Sequence, residues 1–294
     1  MINMIEMLIN PKKAERQPWE MFFIGLLYSS ISLLLVDWIF LKDSILSQYA
    51  SILIITFATI CSIPFMFFLI KLEEDKETKI HTEKILIKEH GKAIFALIYL
   101  FFGFIVAFSF WYMVLPQEIT ATNFKAQIEQ YCAINMPYNF GKCVTQYGVK
   151  NTVTGKVTSN IISTLRHFLN ILINNIYVLI FILIFSLAFG AGAIFILAWN
   201  ASVIAAAVGI FTHASLASLH VGLMRYLIHG IPELVAYFIA ALAGGMLSIA
   251  IIRHEFSHEK FWHILRDSVD LIILAIVILI IAALIEVFIT PSLF

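Results

Sequence analysis

Apolar residues along this chain come in long blocks with no 3.6- or 2-residue alternation inside them, and short polar stretches separate the blocks. They fall at about residues 20–41, 49–70, 93–115, 171–198, 201–218, 231–252 and 269–290. A helix apolar on one stripe lies against a soluble core, whereas one apolar all round is either deeply buried or in lipid. A bilayer crossing takes roughly 20 predominantly apolar residues, and a helix meets the accompanying demand that every backbone group be satisfied internally. The pattern predicts an all-α, polytopic transmembrane bundle of about seven spans. The fifth block, Ala201–Ala217, is rich in Ala and Ser and contains His213, and reads either as a short span or as a re-entrant segment buried in protein.

Composition strengthens this reading. The chain is 61% hydrophobic and 13% charged, against about 45–50% and 25% for soluble domains, so one large soluble core does not account for it. The lipid bilayer is therefore the first expected partner. The 19 basic and 19 acidic residues cancel, which argues against nucleic-acid binding, where a basic excess would be needed. The first block, Phe22–Leu41, is longer than a signal-peptide core and has no small-residue cleavage site after it, so it reads as a retained anchor.

The positions of the charges give an orientation. Lys12, Lys13 and Arg16 precede the first span. Lys71, Lys76, Lys79, Lys84, Lys88 and Lys92 lie between the second and third, and Arg253, Lys260 and Arg266 between the sixth and seventh. With seven spans all three groups share one side, predicting a multi-pass protein of the cell membrane with a cytoplasmic amino terminus and an external carboxyl terminus. The charged linker from Lys71 to Lys92 reads as a helix at the membrane surface. The organisation expected is an amino-terminal transmembrane hairpin with a charged cytoplasmic linker (1–92), then a core (93–294) carrying an extracytoplasmic loop, 116–166. Cys132 and Cys143 lie in that loop, where a disulfide is compatible with an external setting; Cys61 lies inside a span.

Ionisable groups at membrane depth cost free energy and need a local explanation. The richest cluster runs through His213, His220, Arg225, Tyr226, His229 and Glu233. His229 and Glu233 are four apart, so an unbroken helix would align them, with Tyr226 and Tyr237 on the same stripe. Three readings are open. Glu233 and His229 form a proton or cation site; or Glu233 joins His213, His220 or His229 as metal ligands; or the group is structural. In the structural reading Gly230 is a flexible entry, Pro232 sits in a first helical turn, and Glu233 complements the helix dipole near the outer interface. Asn174 and Asn175 are expected to open the fourth span, and Asn200 to end it beside Trp199 as caps. Asp37 and Glu286, near outer span ends, read as interfacial. Small residues at spacings of four, Ala205 with Gly209 and Ala241 with Gly245, and Ser186, Ala188, Gly190 and Gly192 in the fourth span, predict a tight bundle of the fourth to sixth spans. No metalloprotease, nucleophile-elbow or phosphate-loop motif is present, so no catalytic residue and no cofactor are expected.

The order of Asn174-Asn175, Phe189-Gly190-Ala191-Gly192, Trp199-Asn200, Gly209, His229-Gly230-x-Pro232-Glu233 and Ala243-Gly244-Gly245 resembles the stage II sporulation protein M family, in its archaeal-type form, over roughly residues 92–290. The first two spans and the loop 116–166 look like additions to the shorter bacterial form. The resemblance implies an all-helical membrane protein without established enzymatic activity, whose namesake anchors cell-wall-remodelling partners and whose other relatives are regarded as permease-like. It draws attention to His229, Glu233, Asn175 and Asn200. The first functional expectation is a non-enzymatic scaffold binding other membrane proteins or itself. The alternative is a transporter or channel-like component with a His/Glu proton or ion site, and a distant third is an intramembrane metal-dependent hydrolase.

Overall fold

The computed structural model describes residues 11–77, 83–135, 140–148, 161–189, 193–212, 215–252 and 259–293. Within them the chain is helical, with α1 at Pro11–Arg16, α2 at Glu20–Phe40, α3 at Ala50–Glu77 and α4 at Glu83–Val114. Three short helices follow, α5 at Gln117–Asn123, α6 at Lys125–Asn135 and α7 at Phe140–Gly148. The second half holds α8 at Ile161–Phe189, α9 at Ala193–Phe211, α10 at Leu219–Ile252 and α11 at Glu259–Leu284; a π-helical turn at Ile285–Ile289 and α12 at Thr290–Leu293 end the chain. Seven of these helices are long and apolar enough to cross a bilayer. The protein is a multi-pass, all-α membrane bundle.

One apolar cluster runs from Met21 and Leu33 in α2 through Phe101, Phe104 and Phe108 in α4 to Phe238 in α10, so the amino-terminal hairpin packs into the same core as the rest. Helices α2 and α4 cross in close backbone contact. A Cβ on Gly25 would overlap the Leu100 carbonyl oxygen, and one on Gly103 would overlap that of Phe22. Without a hydrophobic drive between helices in lipid, such contact of small residues is a main source of association. The sequence analysis placed tight packing only in the second half. There it is found as well: Ser186 donates to Ala241 O (3.1 Å) and Ser248 to Leu187 O (2.9 Å), joining α8 to α10. Gly244 leaves room for Ser186 and Gly245 for Ile70. Gly190 and Gly192 lie outside the described residues. Helix α10 is the centre of the bundle, with 72% of its span window buried, against 28% for α8 and for α11.

Several boundaries differ from the expected ones. The fourth and fifth spans divide near 189–193, not at Asn200. Asn200 sits inside α9, where Nδ2 donates to Ile196 O (2.8 Å) and so leaves the helix intact. Asn174 and Asn175 do not open a span either, because α8 starts at Ile161. The expected helix start at Gly230-Ile231-Pro232 is absent, since α10 is continuous from Leu219 to Ile252 with Pro232 in its interior. Proline removes one amide donor, a loss transmembrane helices tolerate when neighbours enclose the freed carbonyl. The linker forms no separate surface helix among the described residues; α3 reaches Glu77 and α4 begins at Glu83, so charged residues extend two spans.

At the end of the bundle away from the amino terminus, α5, α6 and α7 make a cap. Asn123 Nδ2 donates to Asp37 Oδ1 (2.8 Å), so Asp37 anchors the cap. Phe124 sits edge-on to Tyr112 and Phe108. Gln127 Nε2 reaches Ser202 Oγ (3.2 Å) and Ser51 O (3.4 Å) deep between α3 and α9. Cys132 and Cys143 form a disulfide joining α6 to α7, with Cα atoms 5.7 Å apart.

Since overpacking costs about 1–3 kcal/mol, Gly25→Ala and Gly103→Ala should each lower thermal stability in detergent by that order. Gly91→Ala, where a Cβ meets nothing within 4 Å, should leave it unchanged or slightly raised. Unfolding curves followed by size-exclusion chromatography after heating check both.

Candidate functional site

Polar side chains of the second half converge on a cavity of about 110 Å³ inside the bundle. Asn174 and Asn175 of α8, Asn200 of α9, Tyr226, His229 and Glu233 of α10, and Glu286 of the π turn line it. Tyr131 and Ile134 of α6 close it on the cap side, and Ile171, Val203, Ile204 and Ala207 supply apolar wall. Unbroken helix through Pro232 is what brings Tyr226, His229 and Glu233 to one face. Glu233 therefore lies roughly midway along α10, and the interfacial position expected for it is replaced by an internal one. Its Oε1 accepts a hydrogen bond from Tyr237 one turn on (2.7 Å).

Glu286 was expected at the interface and instead faces the cavity. The extra residue of a π turn changes the facing of every side chain after it, and such turns recur at functional sites. Here the turn carries Glu286 and is followed by Thr290, whose hydroxyl donates to Ile285 O (3.3 Å). With its proton so used, Thr290 Oγ1 accepts from His229 Nδ1 (3.2 Å). That assignment leaves the His229 Nε2 lone pair facing Glu286 Oε1 at 4.0 Å. Two acceptors face each other across this gap, and Glu233 also acts electrostatically on Glu286. A proton or another cation between them relieves the repulsion.

Next in sequence to the cavity-lining Tyr226 on α10 stands a cation, Arg225, which is not itself part of the lining. The Arg225 guanidinium lies over the Phe211 ring, 4.6 Å from its centroid, and its charge acts on His229, Tyr131 and Tyr226. The Tyr226 and Tyr131 hydroxyls are hydrogen-bonded, which ties α10 to the cap. Burial chiefly, and Tyr147 secondarily, raise the Tyr131 phenol above its ordinary value, against the opposing influence of Tyr226 and Arg225. Tyr131 thus keeps its proton.

The other predicted residues fall elsewhere. His220 is exposed near the start of α10, about 13 Å along the axis from His229 at 1.5 Å per residue, so it does not join Glu233 as a ligand. His213 lies outside the described residues. No three His, Cys, Asp or Glu side chains among the described residues gather as a metal site would require. Thr290, His229 and Glu286 do follow one another as nucleophile, base and acid would. Thr290, however, is 5% exposed, is absent from the cavity wall and gives its proton to a backbone carbonyl, so it orients the imidazole. Tyr226, expected on the stripe with His229 and Glu233, does line the cavity, whereas Glu286, Thr290 and Tyr131 were not expected as members of the site and carry no spacing signal.

Fold and cavity together define a multi-pass helical membrane protein with a polar chamber lined by α6, α8, α9, α10 and the π turn. Residues 93–291 match the family model described as stage II sporulation protein M, and the chain belongs to that family. The match takes in the whole chamber and leaves the amino-terminal hairpin outside. No curated protein and no solved structure matches the chain.

If α6 seals the chamber, a thiol placed on its wall should be slow to react. In a Cys61→Ser background, Ala207→Cys should react with small methanethiosulfonate reagents far more slowly than Leu216→Cys on the exposed rim. Removing the cap anchor with Gln127→Ala, a buried hydrogen bond worth on the order of 1 kcal/mol, should speed Ala207→Cys several-fold and leave Leu216→Cys unchanged.

Proposed function

We propose that this protein is a transport component of its membrane, and that the chamber binds a proton or another cation on its way through the bundle. The observation carrying the proposal is that Glu233, Glu286 and the acceptor side of His229 share one internal cavity with Arg225 as the nearby fixed positive charge. Counting Arg225 against two carboxylates leaves one negative charge to be neutralised at membrane depth, where isolated charge is costly. Intramembrane ionisable residues in this setting mark proton relays and ion pathways. An architectural role, with spans and outer helices binding other proteins, gives these half-buried acids nothing to do and is the poorer account of the cavity.

Orientation belongs to the same proposal. Lys12, Lys13, Arg16, Lys71, Lys92 and Arg266 lie at the end of the bundle opposite the cap, which by the distribution of positive charge is cytoplasmic. The cap and carboxyl terminus are then external, and the chamber opens toward the outer half of the membrane.

The test is flux in reconstituted liposomes carrying an internal pH dye and an imposed potential. The wild type should acidify or alkalinise the lumen with the gradient, and Glu233→Gln and Glu286→Gln should each fall to the level of protein-free liposomes while eluting as folded protein. Wild-type flux that survives in the double glutamine variant would sink the proposal.

A further inference from the structure

Beside the chamber lies a second and larger space. It is a groove of about 390 Å³ along α8 and α9, lined by Tyr177, Phe181 and Phe185 on one side and Ile196 and Trp199 on the other, with Gln130 of the cap at its outer end. Tyr177 and Phe181 are exposed on the bundle surface, 60% and 53%, so the groove is open to the hydrocarbon around it. Asn174, Asn200, Ile134 and Val203 line both spaces. The groove and the chamber therefore adjoin, and two asparagine side chains stand on the wall they share.

The two spaces differ in chemistry. The groove is mostly apolar and of a size that holds a substantial ligand, within the roughly 300–1,000 Å³ of small-molecule pockets. The chamber, at about 110 Å³, is somewhat smaller than the roughly 150 Å³ cavity that takes up benzene, and admits only a small head. Its free valences are mainly acceptors. Asn200 spends Nδ2 on Ile196 O, which leaves Oδ1. Glu233 spends Oε1 on Tyr237, which leaves Oε2. The Glu286 carboxylate and His229 Nε2 face each other. Asn175, 4% exposed, accepts from Asn174 at Oδ1 (3.3 Å) and lines the chamber. A head with several donors and a positive charge suits this wall, and an ammonium group offers three donors and no acceptor. An anionic head would meet two carboxylates.

We propose that the chamber and groove form one binding site for a single-chain membrane amphiphile with a protonated amine head, entering sideways from the bilayer. The ammonium group sits between Glu233, Glu286 and Asn200, and the chain lies along α8 and α9 against Trp199. This rests on the reading of the chamber as a site for positive charge and names the cargo that the adjoining groove implies. Asn174 and Asn200 form the passage between head and tail.

Trp199 provides the readout. The full-length protein in nanodiscs is titrated with octadecylamine brominated along its chain, and with equally brominated octadecanol and octadecyl sulfate; the signal is the quenching lost in Trp199→Phe. The amine should reach half-maximal quenching at a mole fraction about tenfold below the other two, a head-group preference of 1.4 kcal/mol. That preference should vanish in Glu233→Gln/Glu286→Gln. Asn174→Leu, which blocks the passage and leaves both acids, should abolish it too and guards against misfolding of the double variant. Equal quenching by amine and alcohol would mean the groove holds ordinary lipid, and the proposal falls; so does a preference that survives all these substitutions. Proton flux that depends on Glu233 with no amine preference would leave the chamber reading standing and remove this one alone. Loss of both would remove both.

Discussion

Inside a bilayer a polar group has no water to turn to, and the whole architecture answers that one constraint. Most polar side chains in the spans answer it locally. Ser29, Thr59, Ser62 and Thr212 each return a hydrogen bond to the carbonyl four residues back in their own helix. Others answer it between helices, as Trp111 does by donating to Ser30 (3.0 Å) and Ser186 and Ser248 by joining α8 to α10. These bonds average about 0.6 kcal/mol in a membrane, so they guide the packing more than they drive it. Among the described residues Ser32 Oγ, Ser109 Oγ, Asn123 Oδ1 and Gln127 Oε1 are left buried without a hydrogen bond, and none of them lines the chamber, which gathers Glu233 and Glu286 instead. A bundle that merely needed to pack would replace Glu233, Glu286 and Asn175 with apolar residues of similar volume, because buried ionic groups are seldom worth their desolvation.

The cap belongs to the same logic. Gln127 drives a polar amide between α3 and α9 to reach Ser202, and Asn123 takes up the Asp37 carboxylate that would otherwise stand alone at a span end. These contacts hold α6 against the bundle, where Tyr131 and Ile134 close the chamber. The disulfide between Cys132 and Cys143 fixes α7 to α6 rather than to the spans. The closure of the chamber therefore depends on the amide contacts of α5 and α6, and the disulfide sets the internal shape of the cap.

The number and approximate placing of the spans were legible in the sequence because hydrocarbon thickness sets a length that composition alone reveals. What the sequence hid was rotation and continuity. Gly230 and Pro232 carry the propensities of a helix start, and in water those propensities would decide. In lipid the cost of exposing a broken backbone is larger than the loss of one amide donor, so α10 continues and Glu233 moves from an expected end to the middle. Asn200 misled in the same way, since an amide that can bond to its own helix at Ile196 is no signal for a break. The π turn at Ile285–Ile289 has no sequence signature, and it alone turns Glu286 inward. The Gly25–Gly103 crossing was legible only in part: Ser29 and Ala107 stand four residues beyond the two glycines, a small-residue spacing of the kind read in the second half, but which distant helices approach becomes evident only when they are set together.

The position of Glu286 bears on how the chamber works. His229 is held by Thr290, and Thr290 by Ile285 within the π turn, so the imidazole and the Glu286 carboxylate are set by the same five residues of backbone. Glu233 belongs to α10 and is held by Tyr237 in that same helix. The two acids thus ride on separate elements, one on the central helix α10 and one on the π turn, so the charge balance of the cavity depends on how that turn and α10 are set against each other.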